Sequence, residues 1–251
     1  MQYLINLVEM RKHFTFLLLF FFVINAYSQK SALKINENTI VKDSTGFVYP
    51  YSIWQSLMFK GKYGLMPENP SDKNTGFILY RLSEKQWLEK MQRMPKPKES
   101  LFFTTGKKIS LYKLFDINNK KINLKEGKGK IIVFNFWFID CPPCKMEIPD
   151  LNDLVENYKG NDSVLFIAVA LDAEFDLKDF LKRMPFNYTI IGNGRYLASN
   201  YGVKSYPTHV ILDKEGKVYL HTSGLAPNTV FWIKKSIDEL LSSQLTVQNK
   251  L

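Results

Sequence analysis

The sequence predicts an α/β domain of three layers, with helices on both faces of a mixed central sheet, an N-terminal hairpin, and a small module in front. Three observations lead there. Ile131-Ile132-Val133-Phe134-Asn135-Phe136-Trp137 is an almost unbroken apolar run, as expected of a strand buried on both faces. From Val164 onward, apolar strands alternate with segments of helical spacing. Near the end, the strands 208–212 and 217–221 flank Asp213-Lys214-Glu215-Gly216, a strong hairpin signal, and an amphipathic helix follows over 228–241.

Taken in order, residues 1–28 have the layout of a secretory signal peptide. Met10-Arg11-Lys12-His13 is basic, 14–24 is apolar, and Ala26-Tyr27-Ser28-Gln29 supplies the small residues, with cleavage expected after Ser28. The apolar run falls short of the ~20 residues that span a bilayer, so the mature chain is expected to be exported to a periplasm, without stable membrane insertion. A retained anchor is the other reading. No cysteine stands at the cleavage site, which excludes a bacterial lipoprotein anchor.

Residues 29–99 form an N-terminal extension to which the sequence assigns no role. Tyr49-Pro50, Met66-Pro67 and Asn69-Pro70-Ser71 are turn signals. Ser83-Glu84-Lys85-Gln86 fits a capping box, and Trp87, Leu88, Met91 and Met94 follow at helical spacing as a packing face. Met94-Pro95-Lys96-Pro97-Lys98-Glu99 reads as a linker, since two prolines do not continue a helix.

The main domain is expected over 100–245, with a short tail at 246–251. It begins with a hairpin over 111–124 that turns at Ile117-Asn118-Asn119-Lys120. After the apolar strand comes a helix to about residue 158, with Met146, Leu151, Leu154 and Val155 on one face. A second buried strand at 164–171, a helix at 176–184, a short strand at 188–191 and a short helix at 196–201 ended by Gly202 lead to the final hairpin.

Composition narrows the partners. The 251 residues carry a formal charge of +10, spread along the chain with acids interspersed. That describes a solvated surface and argues against nucleic acid as a partner. A hydrophobic content of 45% is that of a folded chain.

The chemistry lies in Cys141-Pro142-Pro143-Cys144, which holds both cysteines of the chain. A thiol attacks a disulfide only when ionised, and a helix N-terminus favours the thiolate through unpaired N–H groups and the dipole. Two prolines are tolerated in a first helical turn, where their missing N–H groups have no partner anyway. The second cysteine, three residues on, lies on the same face within reach of a disulfide. A purely structural bridge is a poor use of so short a loop, which constrains the unfolded chain by about 2 kcal/mol. Zinc needs three or four ligands, and beyond the cysteines only His209 and His221 lie outside the signal peptide. No metal and no cofactor other than the Cys141–Cys144 pair is expected.

Asn135-Phe136-Trp137 before the first cysteine, Glu147-Ile148-Pro149 after the second, Tyr206-Pro207-Thr208, and Ile211-Leu212-Asp213-Lys214-Glu215-Gly216-Lys217 together resemble the TlpA/ResA-type thiol–disulfide oxidoreductases of the thioredoxin superfamily. The resemblance covers about 100–245 and implies a thioredoxin fold. It implies that Cys141 is an exposed nucleophile and Cys144 a buried resolving thiol. It implies that Pro207 is a cis-proline beside the disulfide, with the backbone at Tyr206 receiving the substrate chain. Glu147 matches an acid near the active site that handles protons, its alternative being a first-turn glutamate that favours the helix dipole. Trp137 matches a tryptophan packed against the site, and Asn135 stands where ordinary thioredoxins have a buried acid. Two residues depart from the pattern. Asp140 stands where many members have Trp, and its charge opposes thiolate formation. His209 replaces an apolar strand residue and is read as surface or satisfied core.

The cycle expected is exchange with a disulfide-containing substrate protein, after which a membrane-linked electron donor has to re-reduce the pair; the absence of histidine between the cysteines favours a reductase. A partner-binding module on the same scaffold is the rival. A thiol peroxidase is a weaker one, because Phe138 stands where peroxidases of this fold carry Thr or Ser.

Overall fold

The computed structural model describes residues 35–72, 75–124 and 129–248; the expected signal peptide lies outside them. Contacts divide the chain into two compact units. One comprises Gly64–Tyr80 and the described chain up to Ser56, and the other comprises Leu57–Tyr63 and everything from Arg81 on.

The smaller unit holds most of a three-stranded sheet of β1 (Val41–Lys42), β2 (Tyr63–Pro67) and β3 (Phe77–Arg81), in the order β1-β3-β2. The helix α1 (Tyr51–Phe59) begins in this unit, with Trp54 buried. Gly76 is fixed by its surroundings, since a Cβ there would lie 2.8 Å from the Ile40 carbonyl oxygen.

The larger unit contains the expected domain and more. Helix α2 (Glu84–Arg93) starts at the anticipated capping box, with Ser83 and Gln86 bonding each other's backbone N–H. It belongs to this unit through Met91, which has no exposed surface. Asn228 Nδ2 also donates to the carbonyls of Met91 (3.4 Å) and Pro95 (3.0 Å). The extension expected at 29–99 is thus shared between the two units.

The hairpin β4 (Lys113–Phe115) and β5 (Lys121–Asn123) turns through Asn119 at φ 62°, a left-handed conformation that asparagine tolerates. The main sheet consists of β6 (Ile131–Trp137), β7 (Val164–Ala170), β8 (Thr189–Ile191), β9 (Thr208–Leu212) and β10 (Val218–Ser223), in the order β10-β9-β6-β7-β8. β6, β7 and β8 run parallel; β9 is antiparallel to β6, and β10 to β9. This is the mixed sheet the sequence predicted.

The alternation of side chains on β6 divides the core. Ile131, Val133 and Trp137 face helices α3 (Pro142–Asn157), α4 (Glu174–Arg183) and α6 (Thr229–Gln248), meeting Ile148, Leu151, Leu154, Phe180, Ile233 and Ile237. Ile132, Phe134 and Phe136 face α5 (Arg195–Asn200) and the hairpin, meeting Leu197, Ala198 and Leu114. Every residue of β6 is buried, and each large apolar side chain contributes about 1.5–3 kcal/mol by leaving water. Helix α6 continues to Gln248, into the stretch expected as a tail.

By the same alternation, Asn135 on β6 and His209 on β9 point to the α3 side. They are paired across the strands.

Candidate active site

β6 ends at Trp137, and after the three residues 138–140 the chain reaches Cys141, the cap of α3. The intervening loop is pinned from behind: Ile139 N donates to Asp172 Oδ2 at 2.8 Å, Cys141 N to the Phe138 carbonyl at 3.2 Å, and Leu171 N to the Trp137 carbonyl at 3.1 Å. Cys141 is the N-cap of α3, with extended dihedrals φ −103° and ψ 96°. Pro142 and Pro143 occupy the first two helical positions and have no N–H to give. The first donor is Cys144 N, which bonds Cys141 Sγ at 3.3 Å. The two cysteines form a disulfide with Cα atoms 5.3 Å apart, within the usual span. Pro149 leaves the Lys145 carbonyl without its helical partner on the following turn.

One expectation needs correction. Cys141 and Cys144 are equally buried, each 3% exposed. Both cysteines belong to one apolar cluster, against which Phe138, Ile139 and Tyr206 pack. What distinguishes the cysteines here is position. Cys141 sits at the cap, where the helix directs its free N–H, and Cys144 sits one turn inside.

The Tyr206–Pro207 peptide bond is cis. Thr208 pairs with Phe136 across β9 and β6, so Pro207 lies at the sheet end from which the cysteine loop leaves. The Tyr206 ring meets Phe138 of that loop edge-on at 5.5 Å. Gly224 N donates to the Pro207 carbonyl at 2.8 Å, tying the loop after β10 to the same place. Trp137 is 1% exposed and wedged between Phe180 and Phe186, 5.5 and 5.6 Å away, in the cluster that holds both cysteines.

Asn135, Glu147 and His209 come together in the core. His209 Nε2 lies 2.9 Å from Glu147 Oε2, and His209 Nδ1 lies 3.2 Å from Asn135 Nδ2. His209 has no exposed surface, so its surface reading is excluded and its satisfied-core reading holds. Glu147 is buried and stands beyond the first turn of α3, so the first-turn dipole reading does not hold, and its Oε1 has no partner among the described residues. The Tyr188 hydroxyl is also buried. Its pKa is raised by burial and then by the negative charge of Glu147.

Glu147 also lines a cavity of about 460 Å³ within the larger unit, with Trp87, Met146, Pro227 and Phe231 as apolar wall and the Lys62–Asp150 ion pair (2.9 Å) at one side. Part of that wall comes from before residue 100. Asp172 and Tyr188 were missed by the sequence reading, and so was the pairing of His209. Asp172 follows a strand end, where loop-holding side chains belong, and was the one with a signal to find.

Comparison with known proteins agrees with this geometry. Residues 105–221 match the AhpC/TSA family. The chain is 33% identical over 120 residues to the thiol–disulfide oxidoreductase ResA of Bacillus thuringiensis subsp. konkukian, covering 47% of this chain and 69% of the relative. It is 30% identical over 128 residues to ResA of Bacillus subtilis, covering 51% and 70%. Among solved structures, a putative thiol:disulfide interchange protein DsbE from Chlorobium tepidum superposes with a TM-score of 0.51 at 27% identity, covering 55% of this chain and 99% of that one. With its disulfide at a helix start, a cis-proline at the same end of the sheet and these relatives, the chain belongs to the ResA-like thiol–disulfide oxidoreductases of the thioredoxin superfamily.

Proposed function

We propose that this enzyme is exported to a periplasm and reduces disulfides in protein substrates through Cys141 and Cys144. The observation that carries the reading is the Cys141–Cys144 disulfide at the N-terminus of α3, at the sheet end that also holds the cis Tyr206–Pro207 bond. In the reduced enzyme, the Cys141 thiolate attacks a substrate disulfide and a mixed disulfide forms. Cys144 then attacks Cys141 Sγ, which releases the reduced substrate and regenerates the internal disulfide. The backbone at Tyr206 receives the substrate chain as an added strand. Glu147 takes up a proton, and Trp137 and Asn135 shape the ground beneath the pair. A membrane-linked dithiol donor restores the reduced state.

Export is supported by the order of residues in 1–28 and by a redox pair suited to an oxidising compartment. Among the described residues, no helix is long and apolar enough to cross a membrane. The AhpC/TSA match raises a thiol peroxidase as a second reading, against which stands Phe138, where such peroxidases carry Thr or Ser.

The midpoint potential of the Cys141/Cys144 couple tests the direction. A value near that of thioredoxin, about −270 mV, is expected of a reductase, whereas one near −120 mV belongs to an oxidant and would overturn this direction.

A further inference from the structure

The buried pair of His209 and Glu147 invites a role that cysteine exchange alone leaves open. An amide N–H from Asn135 on His209 Nδ1, 3.2 Å away, puts the proton of a neutral ring on Nε2, where it donates to Glu147 Oε2 at 2.9 Å. Turning the Asn135 amide over would present Oδ1 to Nδ1 instead and suit an imidazolium, with the heavy atoms unmoved. Either way His209 holds one oxygen of Glu147, and Oε1 has no partner among the described residues. A polar cluster this deep is costly unless its bonds are made, and yet it is placed on the core side of α3. Glu147 follows Cys144 by three residues, on the same helical face, and it also lines the cavity.

We propose that His209 is a positioning residue for the resolving half-reaction, holding the Glu147 carboxylate by Oε2 so that Oε1 accepts the Cys144 proton. This rests on the exchange chemistry proposed above. In that step the Cys144 Sγ proton passes to Glu147 Oε1 and a Cys144–Cys141 sulfur–sulfur bond forms. The bond between Cys141 Sγ and the substrate sulfur breaks, and its electron pair leaves on the substrate thiolate, which solvent protonates. The enzyme pair is oxidised by two electrons and the substrate disulfide is reduced. Glu147 then returns its proton to water through the cavity.

The other titratable groups around Glu147 do not substitute for His209. Tyr188 holds its proton well above neutral pH because of burial and the Glu147 charge. On the cavity side, Lys62 is engaged with Asp150 at 2.9 Å and Asp153 at 3.9 Å, and Lys234 with Asp238 at 2.7 Å. Lys60, Arg81 and Glu84 are exposed at its rim.

Stopped-flow reaction of the reduced full chain with an aryl disulfide that releases a coloured thiolate separates the two steps. The first thiolate reports attack by Cys141 and the second reports resolution by Cys144. In His209→Leu the second phase should slow about tenfold near neutral pH and its pH profile should move to higher pH, with the first phase unchanged. His209→Gln, which retains an N–H donor, should restore the wild-type profile, and Glu147→Gln should be slow at every pH. An unshifted second phase in His209→Leu would overturn the proposal. If that variant does not fold, His209→Gln decides: a second phase as slow as in Glu147→Gln also overturns it. Failure of the wild type to release the first thiolate would instead sink the exchange reading itself.

Discussion

Cys144 N donates to Cys141 Sγ at 3.3 Å, and it is the first backbone N–H that α3 has to give, because residues 142 and 143 are prolines. At most helix starts the cap side chain draws on the N–H groups of the second and third positions. Here one of the two is missing, so Cys141 relies on a single donor and the helix dipole.

Pro143→Ala should therefore strengthen the thiolate. The added N–H faces the cap sulfur, so the pH midpoint for alkylation of reduced Cys141 should fall, and the couple should become more oxidising as its reduced form is stabilised. Iodoacetamide rates against pH and equilibration with glutathione measure both. An unchanged midpoint would show that the second donor does not reach Sγ.

Asp172 holds the approach to the pair through Ile139 N at 2.8 Å. Asp172→Ala leaves that half-buried N–H without its acceptor. The expected cost is about 1–2 kcal/mol in urea denaturation, together with slower alkylation of Cys141. Asp172→Asn, which keeps an acceptor oxygen, should recover most of both.

Trp137 fills the space between Phe180 and Phe186 in the cluster that holds both cysteines. Trp137→Ala empties a fully buried aromatic site, and about 3–5 kcal/mol of unfolding free energy should be lost. A loss below about 1 kcal/mol would mean that the cluster closes over the gap.

Alkaline pH should unfold the chain through its buried tyrosines. Burial raises the pKa of Tyr158 and Tyr201, and the hydrogen bond from Tyr158 to Asp238 at 2.6 Å pushes Tyr158 further the same way. Tyr188 is raised by burial and by Glu147. A raised folded pKa means that the stability is fully present below the unfolded value of about 10 and is lost as pH rises beyond it. Each such tyrosine steepens the decline by about 1.4 kcal/mol per pH unit. Lys90, lowered by burial, acts oppositely but at lower pH. Urea midpoints between pH 8 and 11 should be flat and then fall, and Tyr158→Phe should make the fall shallower.

Much of the larger unit was legible because its signals are local. β6 announced itself as an apolar run, the turn at Asp213–Gly216 by its residues, and α2 by Ser83 and Gln86. The three-stranded sheet was not, since β1 has two residues and β2 is only half-buried, leaving no alternation to read. The cysteines were plain from spacing and context, but their equal burial depends on Phe138, Ile139 and Tyr206 packing around them, which no local pattern records. His209 was the hardest case. In a strand buried on both faces a single polar residue does not say what it meets, and its partner Glu147 is 62 residues away in the chain.

The central claim is that Cys141 attacks and Cys144 resolves. Insulin reduction with dithiothreitol as electron source tests it most directly. The wild type should accelerate the reaction, Cys141→Ser should abolish the acceleration, and Cys144→Ser should accumulate a mixed disulfide with insulin at Cys141. Turnover retained in Cys141→Ser would contradict the account.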